Sequence, residues 1–187
     1  MRRKDREMDP EFARDVIDHS QYGVLACVTP DGKPYAIPLS IARAGDRLFF
    51  HSASAGSKVD YLPDGQEVAL TFVSHAQVPE LFSSEELRGM LSEPGAASIL
   101  GSKVFTTEFA SACVQGRVYE LTDPAEKLVG LRCICEKFTP DKMAFFDLAT
   151  KNALHSTKVY EIRIESLAGK RKRFDAQGNE LKAQAEG

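Results

Sequence analysis

The residues best suited to chemistry lie together in Phe49-Phe50-His51-Ser52-Ala53-Ser54-Ala55-Gly56-Ser57-Lys58-Val59-Asp60, an apolar strand end that runs through small residues into a helix start. A helix start offers free backbone N–H groups and a positive dipole end, and small residues let an anion approach the main chain. Ser52, Ser57 and Lys58 add two hydroxyls and one fixed charge. The run is a candidate phosphate cradle, although it matches neither the nucleoside-triphosphate loop nor the dinucleotide fingerprint. The same residues also describe an N-capped surface helix with an incidental lysine, the commoner arrangement on pattern alone. His51, where strand meets loop, suits cofactor contact and simple packing equally.

Other reactive residue types are scattered. His19, His75 and His155 have no partners at ligand spacing and read as surface or structural residues. Cys133 and Cys135 form a C-x-C pair on a helix, where residues two apart point to different sides, so zinc is not expected and Cys135 reads as core. Glu108 reads as solvent-facing, and Lys170 to Arg173 as a solvated tail. No serine, histidine and aspartate follow a nucleophile signature, and no carboxylates pair on a helix face, so an activated side-chain nucleophile is not indicated.

The elements that must position these residues are those of one domain. At 187 residues, with 43% hydrophobic and 27% charged, the chain can build an ordinary core and is not disordered. A net charge of −3 gives no reason to expect nucleic acid as a partner. Four cysteines are too few for a disulfide scaffold, and no apolar run is long enough to span a bilayer; a cytoplasmic protein with no membrane partner is expected.

Asp9 as cap and Pro10 at the first position predict a helix to His19. Tyr22 to Thr29 and Pro34 to Ile41 predict strands joined by the turn Thr29-Pro30-Asp31-Gly32, and Leu48 to Ser52 a third strand completing a meander. A short helix ends at Leu62, before Pro63. Val68, Leu70 and Phe72 alternate in a strand over Glu67 to Val73, and residues 75–103 read as a partly helical insertion. A longer strand, Phe105 to Leu121, is expected to bend at Gly116. A helix from Asp123 to about Phe138 carries Leu128, Leu131, Ile134, Cys135 and Phe138 on one face, and a weaker helix covers Met143 to Leu154. The last strand turns Tyr160, Ile162 and Ile164 one way and Glu161, Arg163 and Glu165 the other. Six mostly antiparallel strands with marginal helices predict a small β-barrel spanning residues 1–173, followed by a polar tail, 174–187.

The strand-turn-strand opening with Pro34-Tyr35-Ala36-Ile37-Pro38-Leu39, followed by the Phe49 to Asp60 run, resembles the FMN-binding split-barrel superfamily that includes pyridoxamine phosphate oxidase. More closely it resembles the nitroimidazole-resistance branch, whose members also begin with a basic stretch like Met1-Arg2-Arg3-Lys4-Asp5-Arg6-Glu7. The Phe105-Thr106-Thr107-Glu108-Phe109 run, Gly116-Arg117-Val118, and Ile162-Arg163-Ile164 through Gly169-Lys170 agree in order and spacing.

The resemblance implies a six-stranded antiparallel split β-barrel with peripheral helices, binding FMN, with FAD or haem as alternatives for the same groove. It implies that His51, Ser52, Ser57 and Lys58 hold the FMN phosphate and that Gly56 permits close approach. The isoalloxazine ring is implied to lie along the second strand against backbone groups of Pro38, Leu39 and Ser40, with Ser111 reaching the ring. Pro38, lacking an N–H, offers only its carbonyl. A homodimer with flavin in the shared groove, and a small-molecule substrate, are implied as partners.

Two departures qualify this. The chain has no tryptophan and one clear phosphate lysine, whereas pyridoxamine phosphate oxidases proper have a richer basic site and a C-terminal segment with tryptophan and arginine. Ser40 stands where members with oxidase activity carry a basic residue. The expectation is therefore an FMN-dependent oxidoreductase of the nitroimidazole-resistance type, acting on a small aromatic or nitro-aromatic acceptor, with a non-catalytic flavin or haem carrier as the alternative.

Overall fold

The computed structural model describes residues 3–183. Among them, eight strands form one sheet: β1 (Glu7–Met8), β2 (Gly23–Val28), β3 (Pro34–Leu39), β4 (Ala42–Ala44), β5 (Arg47–Ala53), β6 (Gln66–Gln77), β7 (Glu108–Leu121) and β8 (Thr157–Lys172). The order is β3-β2-β6-β7-β8-β5-β4, with β1 added to β8, and every pairing is antiparallel. The sheet curls around one core containing Leu25, Ile41, Leu48, Phe50, Leu70, Val114 and Ile162.

The two strands beyond the expected six, β1 and β4, are two and three residues long, too short to show an alternation. The expected meander is corrected. β2 and β3 form their hairpin, but β5 pairs with β4 and with β8 rather than with β3. The last strand is longer than its apolar pattern suggested, and Lys170 to Lys172 lie inside it, paired with β7, instead of in a solvated tail. Lys172 is only 5% exposed, its ammonium donating to the Ser102 carbonyl at 3.2 Å and to the Thr106 hydroxyl. Burial, reinforced by the nearby Arg6 charge, pushes this amine down from the ordinary lysine value.

Glu108 is also corrected, being 5% exposed rather than solvent-facing. It accepts from Gln77 Nε2 at 2.7 Å and from the Phe174 backbone N–H at 2.7 Å. Burial alone would raise its pKa, but those donors and the His75 and Arg173 charges outweigh it and hold the carboxyl below its ordinary value.

Helix α1 (Pro10–His19) begins as expected, with Asp9 accepting from Phe12 N at 2.7 Å and Pro10 at the first position. It buries Ala13, Val16 and Ile17 in the barrel core. A five-residue helix, α2 (Ser57–Tyr61), follows β5. β6 runs on through Gln77 after a register shift between Val73 and His75, so the excursion starts later than expected and holds α3 (Ser84–Met90), α4 (Ala96–Ile99) and one turn of π-helix.

α5 (Pro124–Phe138), capped by Asp123, covers the outer face of the β4–β5 hairpin. Ile134 meets Ala42 and Phe49 there, and Phe49 is fully buried, a burial worth about 1.5–3 kcal/mol. Cys133, not Cys135, packs against this cluster, so the helix is rotated from the face its spacing suggested. α6 (Phe146–Ala153) follows a 3-10 segment. On β8, Tyr160 and Ile162 face the core as expected, while Glu161 points away yet is buried, accepting from Arg47 at 3.0 Å and Arg163 at 2.6 Å.

The bend expected at Gly116 coincides with a register shift between Gln115 and Gly116 on β7. A Cβ at Gly116 would stand 2.2 Å from the Arg163 carbonyl oxygen, backbone that cannot yield cheaply. Gly116→Ala is expected to lower stability by about 1–3 kcal/mol, read as a lower urea midpoint.

Candidate functional site

Side chains alternate along β5: Phe50 and Ser52 face the barrel interior, and Phe49 and His51 face outward. After Ala53 the chain crosses small exposed residues to Gly56, whose φ of 119° is a conformation that suits glycine. No atom lies within 4 Å of where a Cβ on Gly56 would stand, so the space above it is open. Gly56 is itself the N-cap of α2, and no side chain caps that end. The capped-helix reading therefore fails. Five residues also align too few peptide dipoles to matter much, and the cradle rests on side chains and loop amides instead.

Lys58 supplies the charge. Among the described residues the lysines in ion pairs are Lys33, Lys158 and Lys182, so Lys58 is free to meet an anion. His51 is close enough to feel it: packing around the imidazole, then the Lys58 charge, lower the His51 pKa.

The strand path ends at β3 on one side and β4 on the other, leaving a split that hydrogen bonds do not close. α2 sits across it. The Tyr61 ring meets the Tyr35 ring of β3 edge-on, centroids 5.1 Å apart. The cradle is thus carried beside β3, an edge strand with one row of backbone donors and acceptors left without a strand neighbour in the chain. Pro38 and Ser40 are exposed at the end of that edge, and Leu39 is buried. Ser111 is not brought there. It lies on β7 opposite Val73 of β6, three strand spacings from β3, or roughly 14 Å.

A cleft of about 520 Å³ opens on the outer face of β2, β6 and β7, over Ala26, Val28 and Ala69, with Glu67, Gln115 and Glu165 at its rim. It contains none of the cradle residues. Arg117 bridges its two acids, at 2.6 Å from Glu67 and 3.0 Å from Glu165. Sequence reasoning also passed over three residues at the cradle end of the barrel. Lys158 pairs in register with Ser52, Tyr160 with Phe50, and Glu120 with Tyr160. Only the alternation of β8 hinted at Tyr160, because the partners of a long strand are set by the fold.

The family model described as pyridoxamine 5'-phosphate oxidase matches residues 9–171. The chain belongs to this family. The family binds flavin, and the split-barrel architecture is that of its solved members. A protein of Bacteroides thetaiotaomicron named for 5-nitroimidazole antibiotic resistance matches 88% of this chain and 86% of its own, at 20% identity and a TM-score of 0.65. An FAD- and haem-binding protein of Mycobacterium smegmatis matches 89% and 73%, at 20% identity and a TM-score of 0.68. A flavocytochrome of Azotobacter vinelandii matches 94% and 71%, at 20% identity and a TM-score of 0.65. No curated protein matches the chain.

Lys58 without an ion pair among the described residues, the exposed Ser57 hydroxyl and the open space over Gly56 suit an anion such as the phosphate of a flavin nucleotide, while Ser52 is buried on the inner face of β5, opposite the outward-facing His51. By NMR, the His51 imidazole is expected to titrate below the ordinary histidine value, and Lys58→Met is expected to raise it. An unmoved His51 in that variant would place the Lys58 charge away from the cradle.

Proposed function

We propose that the protein is an FMN-dependent oxidoreductase of the nitroimidazole-resistance type, working as a homodimer. The observation that carries this reading is the free Lys58 cation beside His51, held by α2 next to the open edge of β3. A phosphate on the cradle leaves the rest of a flavin to run along β3, where the Pro38 carbonyl and the backbone of Leu39 and Ser40 offer partners to a ring edge. Bound flavin supplies electron transfer from a reduced donor to a small aromatic or nitro-aromatic acceptor. The chain's own residues bind the phosphate, orient the ring and keep water from one of its faces. They need supply no nucleophile.

The dimer is supported by the placement of Ser111 on β7, separated from β3 by β2 and β6 in its own chain. It is supported too by the outer sheet face, where Ala36, Val28, Ala69, Val73 and Cys113 are exposed, small or apolar. A second copy laid on that face covers it and brings its own β7 to the flavin. Cys27, Cys113, Cys133 and Cys135 are free thiols, in keeping with a cytoplasmic setting, and no helix among the described residues is long and apolar enough to cross a membrane.

A second reading, a flavin or haem carrier without turnover, is favoured by the Mycobacterium smegmatis and Azotobacter vinelandii neighbours, described by FAD and haem binding and as a flavocytochrome. The visible spectrum of the purified protein separates the two. Flavin bands that bleach with a reduced donor and return with a nitro-aromatic support the oxidoreductase; a haem band, or bound flavin that no acceptor reoxidises, supports the carrier.

Lys58→Ala is expected to weaken FMN binding by about 1.5–3 kcal/mol, the worth of a charge-assisted contact, in a fluorescence titration. Unchanged affinity would discard this placement of the phosphate. Gel filtration of the flavin-loaded protein is expected at twice the 20.6 kDa chain mass, and elution as a monomer would sink the shared groove.

A further inference from the structure

On the outer face of the sheet, at the entry to β2, stands an aromatic side chain that the fold does not use. Tyr22 is 56% exposed, and among the described residues its ring takes part in no aromatic pair. Its backbone, by contrast, is held on both sides. Ser20, buried at the end of α1, donates to the Val16 carbonyl from its N–H at 3.0 Å and from its hydroxyl at 2.6 Å, and Gly23 opens β2 against Leu39 and Phe72. Gly23 faces the core, where a Cβ would stand 2.4 Å from the Phe72 ring. Side chains alternate along extended chain, so Tyr22 stands on the outer side.

The register fixes what lies beside this ring. Gly23 pairs with Leu39 of β3 and with Phe72 of β6, so the next residues along, Ser40 and Val73, flank Tyr22 at one strand spacing on either side, roughly 4.8 Å. Ser40 is exposed at the end of the β3 edge. Val73 is 48% exposed and follows the buried Phe72, so it too faces outward. Tyr22 and Val73 thus form an apolar step beside Leu39 and Ser40, the stretch of backbone offered to a ring edge. Tyr35, which meets α2 through Tyr61, lies toward the opposite end of β3, and extended chain from Tyr35 to Ser40 covers roughly 16 Å. The step and the cradle therefore serve different ends of a bound molecule.

We propose that Tyr22 is the acceptor-binding residue: its ring, with Val73 beside it, is the platform on which a small electron-poor arene lies next to the flavin. This rests on the FMN reading above and names the residue that sets the choice of acceptor. A nitro group withdraws electrons from its own ring, whereas the phenol of tyrosine is electron-rich, so the two stack favourably face to face with an offset. The fixed backbone from Ser20 to Gly23 holds the ring in place without covering it, and the contact calls on the ring rather than on the hydroxyl.

The test compares FMN-loaded wild type, Tyr22→Leu and Tyr22→Phe. Equilibrium binding of 4-nitrobenzyl alcohol to the oxidised protein is read from the flavin absorbance, and reoxidation of the photoreduced protein is followed with 4-nitrobenzyl alcohol and with ferricyanide, which has no ring to stack. Tyr22→Leu, apolar but without a ring, is expected to weaken nitro-arene binding and raise its half-saturating concentration about three- to tenfold. Its limiting rate, its reoxidation by ferricyanide, its FMN affinity and its elution in gel filtration are expected to stay those of the wild type. Tyr22→Phe is expected to keep wild-type nitro-arene binding. Unchanged nitro-arene affinity in Tyr22→Leu overturns the inference and leaves the FMN reading standing. So does a loss of FMN affinity or of the dimer in that variant, which assigns Tyr22 to the flavin pocket or to the subunit contact. A wild type that binds FMN but no nitro-arene overturns the inference together with the nitro-aromatic acceptor, and one that binds no FMN overturns the whole reading.

Discussion

A sheet whose strand path does not close must have its gap filled by something other than a strand, and here that is the contact of Tyr61 with Tyr35. β3 and β4 are the free ends of the path, and the core they would expose includes Leu39 and Ile41. α2 follows β5 and meets β3 through Tyr61, and Leu62 just after it enters the same core. The loop from Ala53 to Gly56 has to reach that far, and the open backbone at Gly56 follows from the turn it makes. The loop thus leaves small exposed residues next to an unpaired strand edge. The family binds flavin on the same fold.

Charge is distributed unevenly around the barrel. On the face under α5, Glu161 is satisfied by Arg47 and Arg163, and the Asp18 carboxylate by Arg43, so those ions are neutralised where they sit. At the cradle the arrangement differs: Lys58 has no carboxylate, and the Lys158 pair lies at the rim.

Local signals in the sequence were legible where one residue type answers one backbone need. Asp9-Pro10 and Asp123-Pro124 start their helices, Thr29-Pro30-Asp31-Gly32 turns the β2–β3 hairpin, and Gly116 marks the irregularity in β7. The run His51, Ser52, Gly56, Ser57 and Lys58 stands out as a candidate because it is contiguous, and its flavin role is what the family resemblance implies. What stayed hidden depends on partners distant in sequence. β5 pairs with β8 rather than with its neighbour β3, and no periodicity within either strand announces that choice. Lys158 and Tyr160 come beside β5 only through this pairing. Glu108 and Lys172 have polar types that argue for solvent, and their burial follows from amide, hydroxyl and carbonyl partners supplied by other segments.

The excursion between β6 and β7 is pinned at its root. Gln77 and Glu108 face each other in register as the last residue of one strand and the first of the next, and their side chains are joined at 2.7 Å. Lys172 holds the returning chain just before it, at Ser102 and Thr106. With its ends fixed together, the segment in between is a closed loop, and the entropy of closing such a loop grows slowly, by about 0.6 kcal/mol for each doubling of length. Length changes before Ser102 therefore cost the barrel little in closure entropy, while Ser102 and Thr106 themselves are needed by the buried Lys172 ammonium. The stretch from Val78 to Gly101 is therefore the part of the surface whose length can change without moving α2, which lies at the other end of the strands.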